Sequence, residues 1–526
     1  MMESGEIIGE DSVRVVDSSP RISGNKYGLA AVLLIEMLQG VACYTILPFV
    51  ATFCRDGLDL SKTNAVIIYL VFSGIVYMVP CASGALSDTA ITRYTCLLVS
   101  LVLFLIGSVV LLSLALVLTT DIDRNNKIAL YVVSLVFMGL GYGFSISNMY
   151  TIGIDQVAHP TLRNVWSFFI WKHWFFSLGK LISYLPLPFL LRWLGAHFGE
   201  NTLLPNAIVV VIAVGLSLAI LLLGKRQINI VQPQGRTTFQ RLKNGFSRCL
   251  PCFCRENHDY VSLESSASLT NERRYNRLLL KNVVLLIALF SICGGFNMFR
   301  TQLTSTFVIQ AEYLRNTSPL PAISINMFCP LVVLLFVPLI EIYNRYKQHW
   351  KNMTNLDIML AGLVPLVCSA LAAAILETFV KGALTDLPDT QHDSGISFLA
   401  QGPQYVLNGL ADVLSFIPGT EFAYRESPRH IEGFIVGMLY STGSFLALTI
   451  FVVETVIFKK YVTDELLVIF EYHFYTLLGT AVGMAIFLVL PIIVIYRRFK
   501  EKSIDPLADD LAHLFNTRDS ERGLET

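Results

Sequence analysis

The chain has 526 residues, of which 54% are hydrophobic and only 15% charged, and its 39 basic and 39 acidic residues cancel to a formal net charge of +0. Ordinary soluble domains carry about 25% charged residues, so a chain this apolar cannot cover a soluble surface. The even charge balance argues against nucleic acid as a partner, and the ten cysteines, most of them inside apolar runs, show no disulfide framework.

The apolar residues come in long runs. About 20 such residues cross a bilayer as a helix, and lipid offers backbone groups no hydrogen-bond partners, so each run is predicted to be helical. Residues 1–26 are polar and lack a cleavable signal shape. Six spans follow, at 27–50, 64–87, 94–119, 128–152, 164–187 and 204–224. The fifth carries Lys172, His173 and Lys180 among aromatics, which predicts a helix facing the bundle interior. The longest polar stretch, 225–280, is rich in Lys and Arg, and that bias places it on the cytoplasmic side. Within it, Cys249, Cys252 and Cys254 read either as acylation sites at the membrane surface or as ordinary loop residues. Six more spans occupy 281–311, 319–342, 354–380, 397–420, 430–457 and 467–496. The tail, 497–526, opens with Arg497, Arg498, Lys500 and Lys502 and so also lies inside. Asn316, in an Asn-Thr-Ser sequon after the seventh span, falls on the opposite side as a glycosylation candidate.

The predicted fold is therefore all-α, with twelve transmembrane helices. A six-helix bundle at 27–224 and another at 281–496 flank the cytoplasmic linker 225–280, between the two cytoplasmic tails. This is the layout of major facilitator transporters, whose halves enclose a site near the membrane midplane.

Charged residues inside the spans mark candidate sites, because each costs several kcal/mol in lipid unless sheltered. Glu36 lies mid-span in the first, Arg300 in the seventh and Asp412 in the tenth, whereas Glu377 sits near a span end and reads as an interfacial charge. The second span ends in Gly84-Ala-Leu-Ser-Asp88-Thr-Ala-Ile-Thr-Arg93. Gly84 permits close helix contact, Asp88 suits the positive end of a neighbouring helix, and Arg93 suits pairing across the cytoplasmic face. This run resembles the major facilitator loop signature, with Thr92 where a glycine is usual, and implies a conformational latch.

Three further runs carry a narrower resemblance. Gly402-Pro-Gln-Tyr through Asp412 to Glu421-Phe-Ala-Tyr424 and Pro428 is similar to the tenth helix of the proton-dependent oligopeptide transporters. Gly139-Leu-Gly141-Tyr-Gly143 through Asn148 to Gly153-Ile-Asp155-Gln156 resembles their fourth helix, and Gln302 through Ser305 to Gln310-Ala311 their seventh. The resemblance runs from about residue 28 to 495 and is nearest the peptide/histidine branch of solute carrier family 15.

The departures from that family fall in the expected pocket. The first helix reads Glu36-Met-Leu-Gln39-Gly40-Val-Ala-Cys43-Tyr44, so one acid of the family's E-x-x-E-R remains, while the second acid is Gln39 and the arginine is Gly40. The basic residue of the fourth helix falls on Ile146, and Gln302 stands at the acidic position of the seventh. The tenth-helix glutamate is shortened to Asp412. These changes remove the clearest buried cations for a peptide carboxylate and leave Asp412 as an acid able to hold an ammonium group. Lys172 and His173 read either as replacement cations and proton carriers or as helix-end anchors.

The reading is a secondary transporter of small peptides, histidine-like amino acids or related zwitterions, working by alternating access in the plasma membrane or an endolysosomal membrane. The resemblance implies that Glu36, Tyr44, Tyr77, Gln302 and Asp412 line the substrate site, that Gly84, Asp88 and Arg93 form the latch, and that Glu36 and His173 are candidates for proton coupling. No cofactor or metal site is expected, and no nucleophile–base pair points to an enzyme. The altered pocket also admits a transporter-shaped scaffold or receptor that moves no solute.

Overall fold

The computed structural model describes residues 25–60, 62–117, 123–157, 162–190, 203–249, 322–346, 355–385, 394–428 and 430–445, with shorter pieces between 276 and 315 and between 475 and 483. Gln302, Arg300, Asn316, Cys252 and Cys254 lie outside the described residues.

The first half is built from α1 (Lys26–Ile46), the short α2 (Phe49–Asp56), α3 (Lys62–Thr89), α4 (Arg93–Val117), α5 (Arg124–Ile154), α6 (Leu162–Tyr184) and α7 (Leu203–Leu223). Asn25 starts α1 by accepting the backbone N–H of Tyr27 at 3.0 Å, satisfying an end donor that the helix itself cannot. Pro48 follows the end of α1 and cannot donate to its ladder, so the first predicted span divides into α1 and α2. The linker opens into an amphipathic helix, α8 (Arg236–Cys249).

In the second half, α9 (Phe328–Tyr346), α10 (Asn355–Ala361), α11 (Leu363–Thr385), α12 (Gly402–Ala411) and α13 (Ile417–Arg425) are described, together with a helix over 432–445, α14. Between α12 and α13 the chain makes a π-helical turn, Asp412–Phe416. Pro418 lies just beyond it and lacks the N–H that would continue a regular α-ladder, which is the local reason for the widened turn.

Among the described residues, seven helices are long and apolar enough to cross a membrane. Their outward faces are apolar as well. On α4, Val99, Val102, Ile106, Val109 and Leu116 form an exposed stripe, while Leu97, Leu101, Phe104 and Leu111 are buried opposite. A helix apolar all round belongs in lipid. The core divides mainly into two clusters, one from residues of the first half with Phe416, Val436 and Tyr440, the other from the second half.

One expectation is corrected here. Glu377 is not an interfacial charge: it is buried on α11 and accepts a 2.7 Å hydrogen bond from Gln310 Nε2.

Candidate substrate cavity and cytoplasmic latch

The cavity begins with how closely α1 and α6 approach. A Cβ on Gly40 would stand 2.8 Å from the carbonyl oxygen of Phe176, and one on Gly179 would stand 2.2 Å from that of Met37. Glycine at both positions lets the two backbones touch. That contact carries Lys172 to Glu36, Nζ to Oε1 at 2.6 Å, as a buried ion pair between the helices. The ammonium also lies 3.7 Å from the centroid of the Tyr150 ring. A buried charge is tolerable only when paired, and here each charge shelters the other. Lys172 and His173 are 4% and 7% exposed, so neither is a helix-end anchor facing headgroups.

Around this pair lies a narrow cavity. Glu36, Tyr44, Tyr77 and His173 all line it, as do Gln39, Ile146, Tyr150, Phe176, Phe416 and Tyr440. The last two come from the second half, so the cavity sits between the halves. His173 Nδ1 is 3.0 Å from the carbonyl oxygen of Phe169, which can only accept, so in the neutral ring the proton is on Nδ1 and Nε2 accepts from the Tyr150 hydroxyl at 3.2 Å. The Tyr440 hydroxyl is 2.6 Å from that of Tyr150, and with Tyr150 donating to His173 the order of donation is Tyr440 to Tyr150 to His173. A proton added to His173 reverses that order, because both ring nitrogens then donate.

Asp412 stands apart from this wall. It is half-buried, and its Oδ2 is 3.9 Å from the Cys329 thiol of the α9 helix. The structure thus gathers three of the expected lining residues, Glu36, Tyr44 and Tyr77, together with the proton-coupling candidate His173, and does not place Asp412 with them. Sequence reasoning missed Gln39, Tyr150 and Tyr440. Tyr150 and Tyr440 are ordinary aromatics in apolar runs, and Gln39 was noted only for what it replaces.

The two halves also meet at the end of α3. The α3 helix meets α14 so tightly that a Cβ on Gly84 would stand 2.1 Å from the carbonyl oxygen of Gly433. Asp88 Oδ2 accepts the backbone N–H of Phe434 at 2.8 Å in the first turn of α14, where the helix dipole favours an anion. Arg93 joins three carboxylates: Nη1 is 2.6 Å from Asp155 Oδ1, and Nη2 is 3.3 Å from Glu432 Oε2 and 3.5 Å from Asp88 Oδ1. Burial raises the Asp155 carboxyl above its ordinary range, while the Arg93 guanidinium pulls it down. The linker is fastened to the same place. Gly235 N donates to Asp88 O at 2.8 Å, and Gln156 exchanges two hydrogen bonds with the Asn229 backbone.

The family model described as the POT family matches residues 93–464. The chain belongs to the POT family. It is accordingly a multi-pass membrane transporter and not an enzyme. Solute carrier family 15 member 3 of Mus musculus is 25% identical over 487 residues, covering 78% of this chain and 80% of that protein. A probable peptide transporter, ptr2, of Schizosaccharomyces pombe is 21% identical over 492 residues, covering 85% and 76%. Among solved structures, the crystal structure of the POT family transporter PepTSo superposes with a TM-score of 0.70 at 15% identity, covering 90% of this chain and 99% of that one. The fold is that of the major facilitator transporters. In this POT member, positions 39, 40 and 146, which depart from the family pattern, are accounted for locally. Gln39 and Ile146 line the cavity, and Gly40 is where α6 packs. Of the two readings of Lys172, its burial against Glu36 on the cavity wall agrees with the replacement cation.

Proposed function

We propose that the chain carries small peptides, histidine-like amino acids or related zwitterions across the membrane by alternating access between its two halves. The observation that carries this reading is the buried Glu36–Lys172 pair on the wall of a cavity between the halves, which the Asp88–Arg93 network also joins. A solute zwitterion presents both an anion and a cation, and either competes with one partner of such a pair. Membership of the POT family supports peptides as the solute class. The fission-yeast relative, a probable peptide transporter, points the same way.

Glu36 and His173 are the groups proposed to take up a coupling proton. Protonating Glu36 frees Lys172, and protonating His173 reverses the hydroxyl relay that joins Tyr150 to Tyr440 across the halves. With Gln39 and Gly40 in place of the family's second acid and arginine, uptake is expected to respond weakly to an inward proton gradient. The membrane concerned is proposed to be the plasma membrane or an endolysosomal one.

The test is uptake of radiolabelled L-alanyl-L-alanine and L-histidine by proteoliposomes of the purified protein, with and without an acid-outside gradient. Time-dependent, saturable uptake above empty liposomes supports the reading. Uptake of neither solute under either condition contradicts it.

A further inference from the structure

The α7 helix passes into a short 3-10 turn, Gly224–Gln227, which carries Lys225 and Arg226. Both side chains are exposed, as is that of Lys26 in the first turn of α1. The turn is held against α1. A Cβ on Gly28 would stand 2.6 Å from the carbonyl oxygen of Gln227, and one on Gly224 would stand 3.8 Å from the Cβ of Ala31. Ile228, just beyond the turn, is buried in a small core with Val32, Ile35, Tyr94 and Leu221. The Tyr94 hydroxyl donates to the carbonyl oxygen of Leu221 at 3.3 Å, and its ring centroid lies 5.9 Å from Lys225 Nζ. Three cations from two distant parts of the chain are thus fixed on one rim of the first half by a packed core.

Their charge is not met by the described protein. No carboxylate among the described residues pairs with Lys26, Lys225 or Arg226. The acids at this end of the bundle, Asp88, Asp155 and Glu432, are gathered around Arg93 instead. The rim is also where the hydrocarbon of a bilayer would end. Leu223, one residue before the turn, is 85% exposed, and Tyr27, beside Lys26, is 72% exposed. A fully exposed leucine belongs among acyl chains, an exposed tyrosine marks the headgroup level, and lysine and arginine reach outward past it. Lys225 and Arg226 follow Leu223 by two and three residues, a rise of about 4–6 Å in a 3-10 turn. That offset carries their charges from the acyl chains to the depth of the lipid phosphates.

We propose that Lys26, Lys225 and Arg226 form a binding surface for the headgroup of an anionic phospholipid in the cytoplasmic leaflet. The proposal does not depend on which solute the chain carries. The linker begins at this turn, its Lys and Arg bias places the rim on the cytoplasmic side, and that leaflet carries the anionic lipids. Charge complementarity selects the lipid class. A phosphatidylcholine headgroup brings its own ammonium to three unpaired cations, whereas phosphatidylserine brings a surplus negative charge. Because Gln156 ties the Asn229 backbone just beyond the turn, a headgroup bound here also holds the origin of the linker at the membrane surface.

The test is native mass spectrometry of the full chain in detergent with equimolar phosphatidylserine and phosphatidylcholine of matched acyl chains. Wild type is compared with Lys225→Gln plus Arg226→Gln, with the exchanged pair Lys225→Arg plus Arg226→Lys, and with Lys243→Gln, which removes an exposed cation of α8. Wild type is expected to retain phosphatidylserine at least about tenfold over phosphatidylcholine, the scale of two or three basic residues at an anionic surface. The double glutamine variant is expected to lose that preference, and the exchanged pair and Lys243→Gln to keep it, with the lipid-free melting of every variant close to wild type. Glycerophosphoserine, the headgroup without its chains, is expected to leave the bound lipid in place. Equal retention of the two lipids by wild type overturns the proposal, as does a preference that the double glutamine variant leaves intact. An equal loss in Lys243→Gln would reduce the effect to net charge, and displacement by glycerophosphoserine would assign the cations to soluble phosphates; either overturns the lipid site. A preference that emerges only when the acids of residues 1–24 are changed to their amides gives the cations to that segment and overturns it as well.

Discussion

Glu36 and Lys172 are each buried, and each alone is a liability. Removing one partner of a buried pair leaves the other charge uncompensated, at a cost of about 3–5 kcal/mol. Glu36→Gln is therefore expected to lower stability by that order, and Glu36→Gln with Lys172→Gln to recover most of the loss. Denaturant unfolding in detergent checks this, and a double variant as unstable as the single one would show the two charges to be uncoupled. Asp412→Asn offers the contrast. Its carboxylate faces Cys329 rather than the cavity wall, so the variant is expected to bind L-alanyl-L-alanine within about threefold of wild type, less than half the worth of a charged hydrogen bond. Loss of binding with normal expression would return Asp412 to the site. At this scale the sequence was half legible. Glu36 announced itself as an acid inside an apolar run. Its partner lies 136 positions away, and no local pattern joins the two.

Helices were the most legible feature and their irregularities the least. The predicted span at 94–119 corresponds to α4, Arg93–Val117, and that at 164–187 to α6, Leu162–Tyr184, because long apolar runs leave the backbone no alternative in lipid. The π turn at Asp412–Phe416 was not legible, since one proline six residues after Asp412 is compatible with an ordinary helix start as well as with a widened turn. The glycine contact in the latch was readable from Gly84 together with Asp88, but its partner Gly433 was not. Gly84→Val places a branched side chain where even a Cβ stands 2.1 Å from backbone oxygen, so α3 and α14 must separate. Cys81, whose sulfur lies 3.1 Å from that of Met438 across the same contact, should then react faster with a water-soluble maleimide. An unchanged rate with normal folding would show that this contact does not close the cytoplasmic end.

The whole molecule works as two halves joined at the latch and by the linker. Gly235 and Asn229 fasten the start of the linker beside Asp88 and Gln156, so linker and latch share one side of the membrane. Epitope tags at residue 10, within 225–280 and after residue 500 are all expected to be cytoplasmic, as the Lys and Arg distribution requires; labelling of the linker tag on intact cells would contradict that topology. The POT family and its fold were legible from motifs in the fourth, seventh and tenth spans. The pairing of the fifth span's Lys172 with Glu36 was not, because it depends on α1 and α6 touching through Gly40 and Gly179. The central claim is that the charged cavity between the halves is the path of the solute. Its most direct measurement is counterflow of labelled L-alanyl-L-alanine in proteoliposomes loaded with the unlabelled dipeptide, comparing wild type with the double variant Glu36→Gln, Lys172→Gln. The double variant removes both charges and strands neither, so it is expected to reconstitute normally and to lose counterflow by at least about tenfold, in line with loss of one charged contact. Counterflow at the wild-type rate in a folded, reconstituted double variant would contradict the account.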